Sequence, residues 1–324
     1  MLYVFAGSSN GRIAVSETVH LGSNPSPAAN MNEKVEAKDI LPSVPEVTEE
    51  QLEKARKSGR YESIAFEEYK FIAQLVAIVA RIDKSSDGFK KIPNQQYHVL
   101  MGLMNRCARL ILGTMQLSHK GKFGESTAII LRCIFETGVK IFWLCSSAST
   151  DNFNLYVNDS LKPEIELKDT IIKNISERGG DATKLEKRML DSIEYHIKSG
   201  ETSEDSVRSS KKMLDMATLI ERIGFNRLVY LVNHRLGSHH VHGTWPSLIF
   251  HYLESDANGF VARGNDVSTK ANELLMVTLI MSKSLHEYCN YVLLSPTKEV
   301  LMDLCLAEEK TVSMIVDDMS KHGW

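Results

Sequence analysis

From Thr48 to the end of the chain, apolar residues recur at spacings of three and four, and no convincing alternation of apolar and polar residues interrupts them. That period belongs to helices that bury one face, so the main body is expected to be all-α, a bundle of long helices joined by short loops. Thr48 and Gln51 make a capping-box pattern at the head of TEEQLEKARKSG, which Gly59 closes. A second helix is marked by Ile64, Phe66, Phe71, Leu75, Ile78, Val79 and Ile82. The third follows Pro93 and runs to about Ser118, with Leu100, Leu103, Met104, Cys107, Leu110, Ile111 and Met115 on one broad face. A fourth spans Gly124 to Ser147, and others are expected near Phe225 to Val241, Ser268 to Leu294 and Thr297 to Ser320.

Residues 151–224 are denser in charge and poorer in apolar residues, which reads as a helical insertion with wide solvent-facing sides. Ahead of the bundle, Leu2 to Ala6 and Arg12 to Val15 flank an Asn10-Gly11 turn, so residues 1–15 are expected to form a short β-hairpin arm. Proline-rich residues 16–46 read as a linker, and the all-α domain occupies 47–324.

Composition narrows the function classes. A net charge of −3 supplies no basic field for non-specific duplex binding, so any nucleic-acid contact must be local. Five cysteines stand singly in apolar stretches and read as small buried hydrophobes of a reducing compartment. The longest apolar runs fall short of the ~20 residues a membrane helix needs, and the N-terminus lacks the basic start of a signal peptide; a cytoplasmic protein without a membrane partner is expected.

The candidate chemistry lies in HRLGSHHVHGTW, His234 to Trp245. At ~100° per residue on a regular helix, Arg235, Ser238, His239 and His242 share one stripe, and His240 points ~140° away from Arg235. His240 joins the set only if the helix loosens near Gly237 or Gly243. His234 faces elsewhere on the same wheel. Two histidines on adjacent turns could bind zinc, but no HExxH or paired cysteine offers a third ligand, so no metal or cofactor is expected. A histidine to move the proton of a ribose hydroxyl and an arginine to steady phosphoryl charge would suit metal-free RNA cleavage, leaving a 2′,3′-cyclic phosphate. The same stripe could instead hold a nucleotide phosphate or an acidic partner, or cap a helix C-terminus with no chemistry at all.

An arginine and a histidine with four to six residues between them, late in an all-α bundle, resemble the motif of HEPN domains (higher eukaryote and prokaryote nucleotide-binding). Together with the earlier helix AIILRCIFETGVKIFWL, it looks like the bacterial family catalogued as domain of unknown function 5677. The paired patterns are Leu131 to Glu136, LRCIFE, and His234 to His242, HRLGSHHVH. The sequence departs from the pattern at His234, where an aromatic is usual, and at Gly237, where leucine is usual. The resemblance implies an HEPN-like helical bundle and a metal-independent endoribonuclease of a toxin–antitoxin or anti-phage defence system, with RNA as substrate and an antitoxin or defence partner. It also implies a homodimer in which two motifs face one cleft. Arg235 would steady the phosphoryl group, and His242 or His240 would be the acid and base.

Arg132 and Glu136, four apart on the apolar fourth helix, would then line the cleft, with Arg132 on phosphate and Glu136 orienting an imidazole or Arg235. Alternatively they form a buried ion pair that fixes helix register. Ser238 and His239 are expected to bind or orient substrate, and Asn105 and Arg106 are weaker candidates. Trp245 could stack on a base or pack as a corner, and the methionines of the last helices belong to the core or a dimer surface. A non-catalytic nucleotide- or partner-binding module and a helical scaffold are the rival functions.

Overall fold

The computed structural model describes residues 41–118, 122–257 and 259–323. The arm at 1–15 and most of the linker at 16–46 lie outside these residues. The described part of the linker, from Leu41, sets Leu41 and Val44 against the core.

Helices α1 (Glu49–Ser58), α2 (Glu62–Val79), α3 (Asn94–Ser118) and α4 (Gly124–Ser147) follow the apolar periodicity. Thr48 and Gln51 form the reciprocal capping box, and Gly59 closes α1 in the left-handed region. The bundle is completed by α12 (Ala271–Val292) and α13 (Thr297–Lys321). Helix α12 is its axis, packing on α4, α13 and α2, while α3 packs on α4. It packs tightly on α4 at Gly138, where a Cβ would sit 3.1 Å from Met281 Sδ, and Ser284 donates to the Gly138 carbonyl at 2.8 Å. Phe135, Ile134, Leu144, Tyr69, Leu75 and Met281 fill the shared core.

The charged middle is helical: α5 (Thr150–Glu177), α6 (Lys184–Ser199), α7 (Glu204–Ser209) and α8 (Met216–Arg222). Val157, Leu161, Ile165 and Val207 make a small apolar cluster of their own, whereas Leu219 and Ile220 of α8 rejoin the main core. Cys107, Cys145, Cys289 and Cys305 are buried free thiols, and Cys133 is half-buried. No helix of the described residues is long and apolar enough to cross a membrane.

Two features depart from expectation. The expected helix from Phe225 to Val241 is broken into α9 (Arg227–Val229), a π-helical turn at Tyr230–Arg235 and α10 (Leu236–His242). The Asn233 side chain donates to the Val229 carbonyl at 3.0 Å, competing with the backbone for that acceptor. After α11 (Trp245–His251), a short antiparallel hairpin pairs β1 (Leu253–Asp256) with β2 (Gly259–Ala262). Its strands are four residues each and mostly exposed, so they carry little of the apolar alternation that reveals a strand in sequence.

Candidate functional site

The π-turn and α10 lie across α4, and the contact is set by Gly237. A Cβ at this position would stand 3.1 Å from Arg132 Cδ, so the only residue of the segment without a side chain is the one turned onto the arginine stem. That rotation decides where every other motif residue goes.

Arg132 is bound on all three guanidinium nitrogens. Nε donates to Glu136 at 2.8 Å, one terminal nitrogen donates to Ser238 Oγ at 2.8 Å, and the other lies 3.2 Å from His234 Nε2. Glu136 is also 3.0 Å from His234 Nε2. Burial pushes the Glu136 carboxyl up, but the hydrogen bonds of His234 and Arg132 outweigh it and hold the group down at about 2. His234 stacks on Tyr230, four residues earlier, with ring centroids 5.1 Å apart. Arg132, Glu136, His234 and Ser238 thus form a polar clasp between α4 and the motif segment.

The single stripe expected of Arg235, Ser238, His239 and His242 is therefore not the arrangement found. Ser238 faces α4, His239 turns to Thr244 with Nδ1 2.6 Å from its hydroxyl, and Arg235 and His242 are exposed. Neither Arg235 nor His242 has a hydrogen-bond or ion-pair partner among the described residues. The physical cause is Gly237: α10 runs regularly from Leu236 to His242, and the bare face of Gly237 turns inward, so the face opposite Arg235 and His242 is the one that meets α4. His234, which a regular wheel turns away, becomes the partner of Glu136.

Beside the clasp lies a cleft of about 360 Å³ between α4, α10, α11 and α12. Its floor includes Leu131, Phe135, Phe250 and Val277, and its polar wall includes Arg132, His239, His240 and Lys270. Lys270 sits 5.7 Å from the centroid of the Phe250 ring. Glu273, in the first turn of α12, also lines the cleft, and burial pushes its carboxyl up.

His240 enters this cleft with its other edge held. Nδ1 lies 3.3 Å from Ser247 Oγ and 3.2 Å from His251 Nε2. Ser247 is fully buried and donates to Glu125, which also accepts from Tyr252. Burial lowers the pKa of His240, opposed by the charge of Glu125 and aided by His239. His251 is buried too and is lowered by burial and by His240. His240 Nε2 has no partner among the described residues.

Sequence reasoning missed His234, Glu125, Ser247, His251 and Lys270. One signal could have found His234: Gly237 marks the face that meets α4, and His234 and His240 stand three residues on either side of it. The other four, Glu125 of α4, Ser247 and His251 of α11 and Lys270 ahead of α12, have no local signature. Arg106 binds Thr137 of α4 at 3.2 Å and Asn105 binds the Met101 carbonyl within α3, and both lie outside the residues lining the cleft. Trp245 is 57% exposed, with its ring edge-to-face on Phe260, so it is neither a packed corner nor part of the cleft wall. Among the described residues, no group of three or more His, Cys, Asp or Glu side chains is arranged to hold a metal ion.

A family model described as "Family of unknown function (DUF5677)" matches residues 97–260, half of the chain, from early α3 through the motif segment to β2. No curated protein and no solved structure matches the chain.

Proposed function

The chain belongs to the family of unknown function DUF5677, and we propose that it is an HEPN-type, metal-independent endoribonuclease working as a homodimer. The observation that carries this reading is the setting of His240. Of the two histidines at motif spacing from Arg235, it is the one that lines a cleft, and its Nε2 is unengaged. Its lowered pKa keeps the imidazole neutral near pH 7, the form a general base needs.

In the proposed reaction, His240 Nε2 accepts the proton of a ribose 2′-hydroxyl. The 2′-oxygen bonds to phosphorus, the bond to the 5′-oxygen breaks, and that oxygen leaves with a proton as a 5′-hydroxyl. The other product is a 2′,3′-cyclic phosphate. Charge on the phosphoryl oxygens would be met by Arg235. Arg235 is exposed and does not line the cleft of its own chain, so the proposal assigns it to a phosphate bound between two copies. The same segments expose Leu228, Val232, Val241, Trp245 and Leu248, an apolar surface of the kind that a second copy covers. A toxin or anti-phage defence role, with a neutralising partner, remains part of the proposal through the HEPN resemblance.

A non-catalytic nucleotide- or partner-binding module is favoured by one observation: the Arg132 guanidinium is wholly occupied by Glu136, Ser238 and His234 and is not free for a phosphate. The two readings separate on single-stranded and transfer RNA incubated in EDTA. The nuclease yields cyclic-phosphate ends that are lost in Arg235→Ala and His240→Ala and kept in His242→Ala. Equal cleavage by Arg235→Ala and the unmodified protein sinks the assignment. A binding module instead gains thermal stability with nucleotide and leaves RNA intact.

A further inference from the structure

The edge of His240 that faces away from the cleft meets three groups in a row, and their donors and acceptors leave little freedom. Ser247 Oγ gives its only proton to Glu125, so toward His240 it can act only as an acceptor. Nδ1 of His240 must then carry hydrogen, because a bare Nδ1 would set two lone pairs against each other at 3.3 Å. That hydrogen also points toward His251 Nε2 at 3.2 Å, which must present its lone pair. His251 consequently carries its own hydrogen on Nδ1. One assignment satisfies all three contacts, and it leaves the His240 Nε2 lone pair for the cleft.

From this geometry we propose that His240 and His251 form a single proton-carrying pair, with His251 holding the proton that His240 displaces and the Glu125–Ser247 link fixing the tautomer. When His240 Nε2 takes a proton from a group in the cleft, the bond to that group breaks and Nε2–H forms. The Nδ1–H bond of His240 then breaks as Nε2–H of His251 forms, so His240 ends neutral and His251 holds the positive charge on two N–H groups; its new Nε2–H donates to the bared Nδ1 of His240, and the Ser247 contact, which suits the resting tautomer alone, is given up until the proton returns. The reverse transfer lets His240 return a proton to a leaving oxygen. One proton enters and one moves on, and no oxidant or reductant is needed.

The groups facing this pair account for where the charge can rest. Glu125 of α4 acts on both rings and favours the protonated form. His239 on the same helix opposes charge on His240; Arg263 opposes it on His251, and Asp266 favours it there. His251 is buried and does not line the cleft, so it touches no ligand there and acts through His240 as a positioning residue.

As a catalytic device the pair rests on the nuclease reading, but as a titrating unit it can be tested without it. In the full chain with labelled histidine, ring signals of His240 and His251 are followed by nuclear magnetic resonance from pH 4 to 9, with assignment by single substitutions. The expected result is that each ring reports the titration of the other in two steps. In His251→Gln, which keeps a hydrogen-bonding side chain but cannot carry the proton, His240 should titrate in one step; in Glu125→Gln both inflections should move to lower pH. If the His240 titration is the same in His251→Gln as in the unmodified protein, the pair is refuted. Where RNA is cleaved, His251→Gln should lower kcat about ten- to hundred-fold with little change in KM and remove one inflection from the pH profile. Coupled titration in a protein that leaves RNA intact would uphold the pair and refute the nuclease reading.

Discussion

Replacing Glu136 by glutamine keeps the size of the side chain and its reach to Arg132 while removing the negative charge that the clasp is built around. The structure gives the magnitude. The carboxyl is held at about 2 against an ordinary value of 4.5, and at ~1.4 kcal/mol per pH unit the charged form contributes ~3 kcal/mol to the fold. The half-buried Arg132 would also be left without its carboxylate, a loss in the same direction. For a chain of this size, at ~2 °C per kcal/mol, the melting temperature should fall by about 6 °C at pH 7. The sign with pH follows from a depressed pKa: the contribution is complete above the unfolded value and is lost as pH falls from 4.5 toward 2. Urea titrations of both proteins at pH 7 and pH 3 check this, with the gap between them about halved at pH 3. A Glu136→Gln variant within ~0.5 kcal/mol of the unmodified protein at pH 7 would refute the clasp as a source of stability, since that is the size of an ordinary surface change. So would a gap that stays constant with pH.

Gly237→Ala should destabilise by ~1 kcal/mol in chemical denaturation. The new methyl meets the Arg132 stem at 3.1 Å, and that strain exceeds the gain in helix propensity. Glu68 of α2 and Glu308 of α13 are fully buried and act on one another, and burial raises both carboxyl pKa values. A raised pKa means stability is lost as pH rises above the unfolded value, so Glu308→Gln should melt at a higher temperature than the unmodified protein at pH 8 and lose that advantage at pH 4. Val241→Glu, at an exposed position beside His242, should convert the proposed homodimer to monomer in sedimentation measurements and make its melting temperature independent of protein concentration.

The bundle was legible because its signals are local. The starts and ends of α3 and α4 follow from Pro93, Ser118, Gly124 and Ser147, and α13 from Thr297, because each helix announces itself by apolar residues at helical spacing within a few turns. The motif segment was legible only as a set of residue types. Reading Phe225 to Val241 as one regular helix fails because the backbone widens into a π-turn at Tyr230–Arg235; the Asn233 side chain donates to the Val229 carbonyl there, but the same bond from Asn105 to Met101 leaves α3 regular, so residue type does not encode the break. The β1–β2 hairpin was missed because its exposed strands lack a buried face.

Taken alone, the sequence determined the helical class, the extents of α3, α4 and α13 and the residue types of LRCIFE and HRLGSHHVH, since periodicity and residue type act over short distances. Tertiary structure alone decided which residues of those segments meet. Gly237 against Arg132 sets the rotation of α10, which turns Arg235 and His242 to solvent and His240 to the cleft. Glu125, Ser247 and His251 reach His240 from two other helices, and no local pattern encodes a contact across 122 positions, the separation of Glu125 and Ser247. Rotation about a helix axis is fixed by what packs against it, so which groups can exchange a proton depends on the assembled fold.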